Sequence, residues 1–217
     1  QEALEAAHHE VLGSLKNAMS RFARPWAIAL NDAHRARLGP IAFGYRASTA
    51  EIPFGYQLQS YRKGALVLHM LRVLLRNVSK SDDLFVSVLR DFVASNDGRE
   101  ATTADFVAAL TRKAPGKWNW FFEQWIDGTA IPTYSWSSTT TTAANGGVIL
   151  SLQVRQSGVP GFRMPVPVRL EFADKSSGQI VVLVAKPDET FTIPLPKKPS
   201  KVTFNPGLAV LAVVKKD

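Results

Sequence analysis

Apolar positions change their period once along this chain. Leu4, Val11, Leu15, Met19 and Phe22, with His8 in step, recur at the spacing of one helical face from the first residues on. No capping residue precedes them, so this helix is expected to be already under way at residue 2. A second helical stretch is predicted from Pro25 to about Leu38, with proline suited to a first turn. Residues 39–56 carry three glycines and two prolines among aromatics, which predicts an irregular loop that still packs. A helix follows from about Gln57 to Arg76. The Asp82-Asp83 pair suits the start of the next helix, where negative charge is favoured, and Leu84, Val88, Leu89, Phe92 and Val93 form its stripe. Thr102 with Asp105 has the spacing of a capping box, for a helix through about Arg112. Trp118, Phe121, Phe122 and Trp125 fall at i, i+3, i+4 and i+7, an aromatic face for the core.

From Pro132 the period shortens to two. Val148–Val154, Val166–Phe172 and Gln179–Val184 alternate or are β-branched, and turn-forming residues such as Gly158-Val-Pro-Gly161 punctuate them. Thr192-Ile193, Lys201–Phe204 and Leu208–Val214 add further strands, and Ser137–Thr142 reads as strand and loop. About seven short strands predict an antiparallel sandwich. The boundary between the halves falls near Ile131–Tyr134. The expected class is therefore α+β and multidomain, with a helical domain over 1–132 and an all-β sandwich over 133–217. No internal repeat is visible.

Composition narrows the classes little. The 217 residues suffice for one large domain or two modest ones, and 46% hydrophobic with 20% charged is ordinary for a folded protein. No apolar run reaches the length of a membrane span, and no basic-then-apolar leader opens the chain. Zero cysteines exclude disulfides and thiolate metal sites. A net charge of +8 raises the question of nucleic acid. The basic residues are dispersed, with short clusters only at Lys197-Lys198 and Lys215-Lys216, and no stacking aromatics interleave them. No nucleic-acid partner is expected.

A zinc site of the His-Glu-x-x-His kind needs two imidazoles one helical turn apart. Here His9-Glu10-Val11-Leu12 is followed by Gly13, and the adjacent His8 points elsewhere on a helix. His34 has no partner at a useful spacing, and His69 reads as an ordinary helix residue. No nucleophile elbow, phosphate loop or dinucleotide fingerprint is present. One stretch is not explained by packing: Tyr61-Arg-Lys63-Gly64-Ala at the head of an apolar helix. A phenol that keeps its proton at neutral pH can donate to a developing oxyanion. Gly64 would admit a close neighbour, and Lys63 could bring positive charge nearby.

In context, this stretch is similar to a segment of the zinc aminopeptidases of the aminopeptidase N and leukotriene hydrolase type. Tyr61-x-Lys-Gly-Ala with Leu68-His-Met-Leu-Arg carries the likeness. It continues in order through Phe85–Phe92, Thr103-x-x-Phe106, and Trp120-Phe-Phe-x-x-Trp125-Ile with Gly128 and Pro132. Upstream, Gly39-Pro-Ile-x-x-Gly44-Tyr-Arg resembles bacterial members. The likeness spans about residues 39–132, and Gln153-x-x-Gln156 and Phe204-Asn-Pro match the following sandwich loosely.

The resemblance implies the helical second half of a thermolysin-like catalytic domain followed by a β-sandwich. It implies zinc as cofactor, peptides as substrates, and Tyr61 as the catalytic donor to the oxygen of the tetrahedral intermediate. Lys63 and Gly64 would support its geometry. Members are often exported or membrane-associated. The family's Gly-x-Met-Glu-Asn strand, its His-Glu-x-x-His and the later zinc-binding glutamate are missing here, and all normally precede the matched region. The expectation is a C-terminal fragment whose zinc ligands lie upstream and which is inactive alone, rather than a member that lost its metal. Two other readings share the framework: a non-catalytic scaffold with Tyr61 merely packed, and a sibling hydrolase such as an epoxide hydrolase.

Overall fold

The computed structural model describes residues 38–142, 146–159 and 161–217. The helices expected before Leu38, with His8, His9, Glu10, Gly13 and His34, lie outside these residues. The chain divides between Thr129 and Ala130 into two compact units, one helical and one built of strands. It is an α+β protein.

In the helical unit, a 3₁₀ turn at Ile41–Ala47 leads to a π-helical segment, Gln57–Lys63, which runs directly into α1 (Gly64–Ser79). Leu66, Val67, Met70, Leu71, Leu74 and Leu75 bury one face of α1, the stripe that a 3.6-residue period demands. The helix stops where Lys80 turns left-handed, its amide bonding back to Arg76 O at 2.8 Å. The predicted helix thus exists, but its first two turns wind wider than an α-helix.

Helix α2 (Asp83–Ser95) buries Val88 and leaves Val93, the last residue of the predicted stripe, exposed. Asp83 sits in its first turn as expected. Asp82 does not cap it with its side chain: the buried carboxylate takes two bonds from Arg72 on α1, at 2.9 and 2.6 Å. A bidentate guanidinium outcompetes the weaker backbone donors. Helix α3 (Thr103–Lys113) opens on the predicted capping box, Thr102 and Asp105 bonding each other's backbone amides. Arg112 ties α3 to Asp91 of α2 at 2.9 and 2.6 Å.

The last helix is short, α4 (Asn119–Phe122), and continues as a second π-helical segment, Glu123–Asp127. Phe121, Phe122 and Trp125 are core residues as predicted. Trp118 precedes the helix, half-buried, with its indole donating to Ala114 O at 2.8 Å.

The second unit contains seven strands among the described residues: β1 (Thr133–Thr142), β2 (Val148–Ser157), β3 (Met164–Glu171), β4 (Ser177–Val184), β5 (Asp188–Leu195), β6 (Lys201–Phe204) and β7 (Val213–Lys216). One sheet has the order β5-β2-β1-β7 and the other β4-β3-β6. Leu150, Leu152 and Val154 of β2 and Met164, Val166, Val168 and Leu170 of β3 are buried at every second position, the period-two pattern of a sheet with one covered face. Phe204 of β6 meets Tyr134 and Trp136 of β1 at centroid distances of 5.7 and 5.8 Å, so the two sheets share one core.

Two expectations for the sandwich need correcting. The pairing is not wholly antiparallel, because β7 runs parallel to β1. Leu208–Leu211 does not form a strand. Asn205 adopts a left-handed conformation, donates to Val210 O and accepts from Val210 N, both at 2.8 Å. This clamp holds Ala209, Val210 and Leu211 as a buried loop, whose apolar run has the composition of a strand without its backbone pairing.

Candidate functional site

Tyr61 lies in the π-helical segment Gln57–Lys63, whose wide winding is visible in the Gly64 amide reaching back five residues to Gln59 O. Such turns are uncommon and concentrate at functional positions. Gln59 and Lys63, four residues apart, face inward, and Lys63 is 0% exposed. Tyr61 sits between them, two residues from each, and residues so spaced do not share a helix face. It is 65% exposed.

The inward side chains are polar, and each has a backbone partner. The Gln59 amide donates to Gly39 O. Lys63 Nζ donates to Gly128 O at 2.8 Å. Burial lowers the Lys63 pKa from 10.5 to about 8, since leaving water penalises the ammonium form. Gly128 follows the second π-helical segment. A side chain there would place its Cβ 2.4 Å from Gln124 O, so the carbonyl that receives Lys63 belongs to a position that only glycine fills.

These contacts bear on two expectations. The Lys63 ammonium is turned inward and buried against Gly128, whereas Tyr61 is exposed. No other backbone of the described residues approaches Gly64: a Cβ there would meet only Gln59 O, at 3.8 Å.

Tyr61 has aromatic company instead. Tyr56 meets it edge-on at a centroid distance of 5.5 Å, and Tyr45 stacks on Tyr56 at 4.2 Å. The edge-on contact is a favoured ring geometry. The hydroxyl of Tyr45, then desolvation and the hydroxyl of Tyr61, push the Tyr56 phenol up to about 12. The segment 39–56 therefore does less packing than its aromatic content predicted. Ala47 is buried, whereas Tyr45 and Phe54 are exposed. The ends of the loop close tightly: a Cβ on Gly55 would lie 1.8 Å from Ala47 O, and Tyr56 N bonds Ser48 Oγ at 3.0 Å. Phe54 lies within that closed turn and is exposed.

Much of the remaining motif has a packing explanation. Phe92 of α2 meets Phe106 of α3 edge-on at 5.3 Å, and Phe106 meets Phe122 of α4 at 6.3 Å. Phe92, Phe106 and Phe122 thus form one ladder through three helices. His69 is half-buried on α1. Among the described residues no three His, Asp or Glu side chains gather as a metal-binding group.

Sequence reasoning found Tyr61 and Lys63 but missed Tyr45, Tyr56, Gln59 and the link to Gly128. The signal for Gln59 was its four-residue spacing to Lys63, a polar pair facing the same way as buried leucines. Nothing in the spacing joins Lys63 to Gly128, 65 positions away.

Comparison with known proteins bears on the fold. No family model matches the chain, and no curated protein matches it. Among solved structures, aminopeptidase A of Legionella pneumophila, in complex with aspartic acid, superposes with a TM-score of 0.59 over 73% of this chain, at 14% identity. The chain spans 18% of the length of that neighbour. At this identity the likeness establishes an aminopeptidase-like fold and nothing about activity.

Proposed function

We propose that this chain is the C-terminal part of a zinc-dependent aminopeptidase, comprising the helical half of a thermolysin-like catalytic domain and the sandwich that follows it. The observation that carries the reading is Tyr61 itself. A large side chain sits outward on a wide helical turn whose inward neighbours are buried and bonded. The contacts of the phenol are with Tyr56 on the surface, so its ring is not part of the buried core. The likeness of the fold to an aminopeptidase supports the same reading.

In this proposal the parent enzyme removes N-terminal residues from peptides. Its zinc would activate the attacking water, and its ligands would come from a region upstream of this chain. Tyr61 would donate its hydroxyl hydrogen to the substrate carbonyl oxygen as negative charge accumulates there, a donor set in advance of the charge that it meets.

Aminopeptidase assays on the purified 217-residue chain and on a parent protein extended upstream test this reading. The parent should release N-terminal residues, lose that activity to a chelator and recover it with zinc, while the chain alone should be inert. Stoichiometric, chelator-sensitive cleavage by the chain alone would refute the division of the site, and an extended parent inert toward peptides in the presence of zinc would refute the reaction.

A further inference from the structure

We infer that Lys63 and Gln59 are positioning residues for Tyr61, fixing from beneath the wide turn that presents it. The inference rests on the proposed role of Tyr61 and assigns its supporting geometry to two buried polar side chains.

Burial makes these residues costly. An ammonium taken out of water is destabilising unless its partners compensate, and apolar groups of similar volume in place of buried charges are often neutral or favourable. Leucines along α1 already bury the helix face, so packing alone would be satisfied by Met or Leu at 63. What an apolar side chain would not do is fix a direction. Lys63 closes one π-helical segment and its ammonium bonds the carbonyl of Gly128, which directly follows the other. The position of Gly128 is itself set, because its Cα lies against the carbonyls of Gln124 and Glu123. Gln59, one turn earlier on the same inward face, bonds Gly39 O, where the chain enters the aromatic loop. The segment is thus held at two points, to two parts of the helical unit, with Tyr61 between them on the outer side. A phenol aimed at a transient charge has to be held to within about an ångström, since misplacement on that scale can cost on the order of a hundredfold in rate.

A double-mutant cycle in the parent enzyme separates positioning from general support of the fold. Lys63→Met keeps the stem and removes the donor. It should lower kcat about tenfold to a hundredfold with KM nearly unchanged. In a Tyr61→Phe background the same substitution should cost nothing further, because no phenol remains to be positioned. An equal loss in both backgrounds, or unchanged turnover in the single variant, would overturn the inference. If Lys63→Met does not fold, Gln59→Met, which removes the second anchor, carries the same comparison with the same two outcomes. Full turnover of Tyr61→Phe alone would remove the reading of Tyr61 and this inference with it. That result is distinct from a Lys63 effect that persists without the phenol.

Discussion

Lys63 is the residue at which burial, charge and geometry meet. Its ammonium is 0% exposed and its pKa is lowered from 10.5 to about 8 by desolvation. Between those values the unfolded chain binds more protons than the folded one, so this group makes stability rise with pH across that window. Below about pH 8 both states carry the proton and the cost of burying it is constant. Tyr56, raised to about 12, acts in the opposite sense, because its folded form keeps a proton that the unfolded form loses from about pH 10 upward. Comparison with Lys63→Met cancels that contribution. Urea unfolding of the two proteins from pH 7 to 10.5 should show wild type gaining on the variant above about pH 8, by up to about 3 kcal/mol. A difference that stays flat with pH would mean that Lys63 titrates as it does in water.

Between elements, the contact with the most at stake is Arg72 of α1 with Asp82 before α2. The carboxylate is 7% exposed and the guanidinium 15%, with Arg76 a further 3.8 Å from the same oxygen. Removing one partner leaves a desolvated charge, which typically costs about 3 kcal/mol, whereas removing both is far milder. Asp82→Ala should therefore destabilise the protein by about that amount in urea unfolding, and adding Arg72→Met should restore part of it. A loss below about 1 kcal/mol would class the pair with ordinary surface ion pairs. The contrast with Thr102 and Asp105 shows what sequence can reveal. A capping box is local, four residues long, and was legible directly. Asp82 was legible as an acidic residue at a helix start, where it sits, but its partner lies ten residues back on another helix, beyond the reach of a local rule. The same limit holds for the π-helical segment Gln57–Lys63: the apolar period predicts a helix, and the bonds to Gly39 and Gly128 reach outside any local window.

For the molecule as a whole, the change from helical to alternating period gave the order of the elements and nearly every strand. It could not give the parallel pairing of β7 with β1, which needs the chain to return beside its starting strand. Nor could it separate the buried loop at Ala209–Leu211 from a strand, since burial writes the same apolar run in both. Phe204-Asn-Pro, noted as a motif, resolves into structure: a ring in the shared core and a left-handed asparagine that closes a loop. Phe92, Phe106 and Phe122 of the helical half likewise resolve into a ladder. Tyr61 is left over, exposed where its motif partner is buried.

In the proposed reaction Tyr61 donates to charge that exists only in the transition state, and the kinetics of Tyr61→Phe in the parent enzyme measure that donation. Both kcat and kcat/KM should fall together by about a hundredfold to a thousandfold, with KM nearly unchanged. A Tyr61→Phe enzyme with wild-type turnover would contradict that donation.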